Sequence, residues 1–171
     1  MSMYHCFDRG TVIPHLHSTD KFSALSELIR NASVFEQIAD RDLFEQAVIT
    51  RERLHTTGFG HGVAVAHGRV AGVQRVLMAL GVSRAGIPFD SPDGEAVRLL
   101  FVIASPQQVS LDYLQALSTL VRCVRRQDVR EALLASVGEA DLQRAIRDAF
   151  RAHIEPAAAP GAGRQPCGTA S

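Results

Sequence analysis

Hydrophobic and polar positions along this chain change period several times, and each change marks an element. After Ser18, Thr19 and Asp20, any of which can cap a helix, Phe22, Leu25, Leu28 and Ile29 recur at helical spacing up to about Asn31. That spacing predicts a helix with one apolar face, laid on a sheet. A second helix is predicted from about Asp40 to Arg53. It buries Leu43, Phe44, Ala47 and Val48 and ends in Arg51 and Arg53, cations that suit the negative end of a helix dipole. The period then shortens. Gly58, Gly60 and Gly62 alternate through a tight backbone path, and Val63-Ala64-Val65-Ala66 reads as a buried strand that gives way to a loop at His67-Gly68. Further strands are predicted from Val73 to Val82 and from Val97 to Ala104, parted by the turn-rich Pro88 to Gly94. A long helix follows with Leu111, Leu114, Leu117, Leu120, Val121 and Val124 on its stripe. A short helical stretch runs from Val129 to Ala135, and a last helix from about Glu139 to His153. Ser136-Val137-Gly138-Glu139 ahead of that helix has capping-box spacing. Helix, helix, strands, helices in this order imply an α/β sandwich.

At 171 residues the chain fits a single domain with a full core. Pro156 to Ser171 is rich in Ala, Gly and Pro and lacks large apolar side chains, so residues 1–155 are expected to form the domain and 156–171 a disordered tail. Lysine plus arginine and aspartate plus glutamate each number 18. The net charge of zero offers no footprint for nucleic acid or for an anionic membrane. Apolar runs such as Leu99 to Ala104 are far too short for a bilayer, and the start MSMYHCFDRG lacks the basic and apolar regions of a secretion signal. A cytoplasmic protein without membrane insertion is expected. Cys6, Cys123 and Cys167 are too scattered for a disulfide framework and fit a reducing compartment. His15 and His17 would share a strand face, with His5 and Cys6 upstream, but no further ligand stands at a convincing spacing and no metal or other cofactor is implied.

His67 is the residue whose chemistry asks for an explanation. A histidine in an apolar run is most often a satisfied core residue. A neutral imidazole held at a strand end is also a competent nucleophile toward a phosphoryl donor. Transfer of that kind spreads charge over three equatorial oxygens, so it needs a donor fork and nearby backbone N–H groups more than acid–base machinery.

The stretch Thr50 to Arg69, TRERLHTTGFGHGVAVAHGR, resembles the signature of the phosphotransferase system enzyme IIA family of the mannitol/fructose and nitrogen-regulatory type. That signature is an Arg-Glu pair, a Thr-Gly-x-Gly-x-Gly-Val-Ala stretch and a terminal Pro-His-Gly. The turn Phe89 to Gly94 before Val97 to Phe101, and Pro106 ahead of the long helix, extend the likeness over roughly residues 10 to 153. The resemblance implies a mixed β-sheet flanked by helices in the mannitol-type enzyme IIA architecture. It also implies a phosphotransferase-type carrier that forms a transient phosphohistidine, with His67 as phosphoacceptor and Arg51 stabilising the phosphate. Thr57 would donate a hydroxyl, and Gly68 would let another backbone approach. HPr, or its nitrogen-branch relative, would supply the phosphate, and an enzyme IIB cysteine would be the downstream acceptor if one exists.

Two positions depart from the pattern. Ala66 stands where the family usually has proline. Ser110, just before Leu111, occupies the place of a second histidine and is also a natural N-cap. His61, or alternatively His55, is the imidazole expected to replace part of what is missing. Two roles follow, a carrier that moves phosphate on to sugar transport and a regulator whose phosphorylation state is itself the output. The regulatory role is favoured, because no IIB, IIC or HPr sequence accompanies the domain. A partner-binding module that takes no phosphate is the remaining alternative.

Overall fold

The computed structural model describes residues 5–108 and 110–154. Five strands form one mixed sheet: β1 (Val12–Ile13), β2 (Gly58–Gly60), β3 (Val63–Val70), β4 (Leu77–Ile87) and β5 (Val97–Pro106), in the order β1-β4-β5-β3-β2. β3 and β5 run parallel, as do β1 and β4, while β4 is antiparallel to β5 and β2 to β3. Five α-helices are described: α1 (Lys21–Asn31), α2 (Arg41–Leu54), α3 (Leu111–Arg125), α4 (Gln127–Ala135) and α5 (Gly138–Ala152), with a 3-10 turn at Ser33–Gln37.

Alternating side chains feed two cores. Ala64, Ala66 and Val70 of β3, with Leu100, Val102 and Ala104 of β5, meet Leu25, Leu28, Phe44 and Val48 of α1 and α2. On the opposite face Val63, Leu99, Phe101 and Ile103 meet α3, α4 and α5 through Leu120, Val124, Leu133, Ile146 and Phe150. The sheet is covered on both sides, which is why β5 reads as an unbroken apolar run rather than an alternation. The mixed sheet flanked by helices is therefore the fold the sequence leads one to expect.

Several local expectations are corrected. α1 begins where predicted, with the Asp20 carboxylate accepting from the Ser23 N–H, and Asp40 caps α2 in the same way. Leu43 of α2, expected inside, is 59% exposed, whereas Glu45 and Glu52 are buried. Leu111 and Leu114 of α3 are likewise exposed, and the buried face carries Ala116, Thr119, Leu120, Cys123 and Val124. Leucine spacing announced a stripe, but packing against α5 and the sheet chose one turned from it. β3 does not end at His67. Its ladder with β5 continues to Val70 opposite Pro106.

β4 starts at Leu77 rather than Val73 and runs on to Ile87 through a register shift against Val97. The capping box before α5 is absent: the Ser136 hydroxyl donates to the Ala132 carbonyl, and Asp141 reaches back to accept the Val137 N–H. The tail with Cys167 lies outside the described residues. Burial pushes the Cys6 and Cys123 thiols up to about 11 and about 12. His17 is engaged by Glu27, and among the described residues no three His, Cys, Asp or Glu side chains converge as metal ligands. No described helix is long and apolar enough to cross a membrane.

Candidate functional site

His67 belongs to the half of β3 that points toward α3. Side chains alternate along a strand, so His67 shares that face with Val65 and Arg69, while Ala66 and Gly68 look toward α2. β2 pairs with β3 only near Val63 and Ala64, and the Thr57 carbonyl takes the Val65 N–H at 3.1 Å. Beyond that point the outer edge of β3 has no strand neighbour among the described residues. The alternation that aims the Val65 N–H outward aims those of His67 and Arg69 the same way.

Two other elements converge on this edge. α2 ends beside it, and Arg51 in its last turn donates from Nη1 to the His55 carbonyl at 3.1 Å. β5, parallel to β3, leads through Pro106 into α3, where the Ser110 Oγ accepts the Tyr113 N–H at 3.2 Å. This cap seats the first turn of α3 so that the Tyr113 ring lies 6.3 Å from the His67 ring, tilted by 44°. Burial and then the positive charges of Arg51 and Arg69 hold the His67 imidazole below its ordinary value of 6.5. At neutral pH it is uncharged and keeps a lone pair for bond formation. Neither the His67 ring nor the Arg69 guanidinium has a hydrogen-bond partner among the described residues.

The other expected site residues are placed differently. Thr57 turns inward: its N–H, at 2.9 Å, and its hydroxyl both donate to Glu52 Oε2. Glu52 is buried, and its other oxygen lies 3.6 Å from Lys21 Nζ, so this cluster anchors β2 rather than offering the Thr57 hydroxyl to a ligand. The missing side chain of Gly68 makes room for α2, since a Cβ there would stand 2.9 Å from Val48 Cγ2 and 3.1 Å from Phe44 Cε2. It does not open a path for a ligand. His61 is in the turn before β3, at a left-handed φ of 57°, and its N–H donates to Asp93 at 2.8 Å. Six residues earlier and at the opposite end of β3, it lines a separate hollow with Glu95 and Arg98 and does not join His67. His55 caps α2, exposed, beside Arg51.

The charge of Arg51 thus reaches His67, and Ser110 caps the helix whose Tyr113 ring lies beside it. Arg69 and Tyr113, which the sequence pattern does not single out, lie beside His67. Arg69 was findable as the residue two along the same strand, and Tyr113 as the residue one turn beyond a helix cap.

Fold and site define a single-domain α/β protein, one mixed sheet covered by helices on both faces, built around one strand histidine with arginines nearby. Residues 5–149 match the family described as phosphoenolpyruvate-dependent sugar phosphotransferase system, EIIA 2, and the chain belongs to that family. The PTS system fructose-specific EIIABC component of Bacillus subtilis is 29% identical over 153 residues, covering 90% of this chain and 24% of its own length. The chain therefore spans about a quarter of that relative. A nitrogen regulatory protein of Bradyrhizobium diazoefficiens is 34% identical over 125 residues, 73% of this chain and 81% of its own. Among solved structures, the nitrogen regulatory protein IIA-Ntr of Neisseria meningitidis superposes with a TM-score of 0.74 at 26% identity, over 86% of this chain and 98% of that one.

Proposed function

We propose that this protein is a phosphoryl carrier that accepts phosphate on His67 from HPr or a nitrogen-type HPr and acts mainly through its phosphorylation state. The observation that carries this reading is an uncharged imidazole on an open strand edge, with the charges of Arg51 and Arg69 close enough to depress its pKa. In the transfer, the unprotonated ring nitrogen of His67 attacks the phosphorus of the donor's phosphohistidine. The donor's P–N bond breaks as the new one forms, and each ring keeps the proton on its other nitrogen, so no proton changes hands. The guanidinium groups offset the charge of the transferring oxygens, and the outward N–H groups of His67 and Arg69 receive them. Similarity to a nitrogen regulatory protein over most of both lengths supports the regulatory role.

Incubation with phosphoenolpyruvate, enzyme I and a cognate HPr should add one acid-labile, base-stable phosphoryl group, seen by intact-mass spectrometry and lost in His67→Gln. No addition with any cognate donor, or addition that persists in His67→Gln, removes the carrier reading. Likeness to the fructose-specific component over 90% of the chain supports a second role, transport, in which the phosphate passes to a cysteine of a IIB partner. Transfer of labelled phosphate from phospho-His67 to an isolated IIB domain separates the two.

A further inference from the structure

We infer that Tyr113 supplies what the absent second histidine would have given: its phenol O–H donates a hydrogen bond to the phosphoryl group carried on His67, with Ser110 as the residue that positions it. This rests on the carrier reading above. The placement begins at the helix cap. Ser110 satisfies an orphan N–H of α3, and the N–H it takes is that of Tyr113. The side chain one turn into α3 is thereby fixed across from β3, its ring centre 6.3 Å from that of His67.

The ring is half-buried, a setting in which a tyrosine hydroxyl normally finds a partner. Among the described residues it has none, and the same holds for the His67 ring and the Arg69 guanidinium. Two rings from two elements thus lie side by side without satisfying each other's polar atoms. The charges of Arg51 and Arg69 are felt at both rings. Burial pushes the phenol above its usual value, the two arginines pulling the other way, so at neutral pH Tyr113 keeps its proton and is a donor.

The division of labour is chemically complete. A second imidazole would bring a donor and part of a positive charge; here the donor comes from a phenol and the charge from the two arginines. Ser110 cannot bring the charge, and its oxygen is already engaged in seating Tyr113 through the cap. A ring pair at this distance is also ordinary aromatic packing, and removal of the hydroxyl alone distinguishes the two roles, since phenylalanine keeps the ring.

The test charges the wild type, Tyr113→Phe, Ser110→Ala and the double variant with phosphoenolpyruvate, enzyme I and HPr. It reads the initial rate of His67 phosphorylation, the half-life of the purified phospho-form, its phosphorus NMR shift and the melting temperature. Tyr113→Phe should still take phosphate on His67 and melt with the wild type. Its rate or phospho-form half-life should fall about tenfold, the worth of one hydrogen bond to a charged group, and the phosphorus resonance should move. Ser110→Ala should weaken the wild type but add little to Tyr113→Phe, because it acts through the same hydroxyl. Tyr113→His against Tyr113→Leu, a donor against none, gives the same comparison should the phenylalanine variant not fold. Equal rates, half-lives and shifts in either pair, with His67 phosphorylated, overturn this inference and leave the carrier reading standing. A wild type that takes no phosphate overturns both.

Discussion

Gly68→Ala isolates the contact that holds α2, and with it Arg51, against the strand of His67. The new Cβ would lie 2.9 Å from Val48 Cγ2 and 3.1 and 3.2 Å from two carbons of the Phe44 ring. Optimal carbon contacts lie at roughly 3.5–4.0 Å. Neither neighbour can withdraw: both are about 1% exposed, and the Phe44 ring is backed by Phe35 at 5.4 Å. α2 must therefore shift outward by several tenths of an ångström. Overpacking of this kind costs about 1–3 kcal/mol, offset by roughly 0.4–1 kcal/mol because alanine restricts the unfolded chain.

A net loss of about 1–2 kcal/mol corresponds to a melting temperature lower by roughly 2–8 °C for a chain of this size. Phosphorylation of His67 should slow as well, since Arg51 moves with its helix. Gly81→Ala is the control: the atoms nearest its Cβ would be Cδ1, Cδ2 and Cγ of Leu16, at 2.7, 3.0 and 3.0 Å, a side chain that at 9% exposure reaches the rim of the core and has room to yield. Differential scanning calorimetry and an initial-rate phosphotransfer assay on both variants decide the matter. A Gly68→Ala protein that melts with the wild type, or one less perturbed than Gly81→Ala, refutes the account of α2 packing.

Arg51→Lys keeps the charge but loses the planar fork, so it should slow phosphorylation with a stability change of no more than about 0.3–1 kcal/mol; wild-type rates in Arg51→Lys and Arg51→Ala would return the residue to a helix-end role. The His67 titration followed by NMR should have its midpoint below 6.5, because burial and the two arginines disfavour the charged ring. The unfolded chain then binds more protons than the native one at acid pH, so stability should fall as the pH drops below about 6.5. His67→Gln should flatten that slope, and a midpoint at or above 6.5 contradicts the electrostatics described.

What could be read from residues alone is what depends on near neighbours in the chain. Asp20, Asp40 and Ser110 cap helices through bonds to N–H groups three positions on, and these interactions are complete within one turn. The Thr50 to Arg69 signature likewise announces its histidine and arginine without help from distant elements. The tertiary structure decided where each face points and which partner each polar group takes. Leucine spacing in α3 cannot tell whether Leu114 or Cys123 meets the core, because that depends on how the helix lies against α5 and the sheet.

Nothing near Thr57 and Gly68 in sequence reveals that Glu52 claims the hydroxyl of one and that Phe44 and Val48 fill the space beside the other. His61 and His67 are close in the chain but stand at opposite ends of one strand, whereas Tyr113, 46 positions from His67 in the chain, faces it. An extended strand separates near neighbours by about 3.3 Å per residue, while a parallel pairing of β3 with β5 delivers the start of α3 to the same end of the sheet. The local signature points to His67 as the candidate; only the sheet topology could choose its companions.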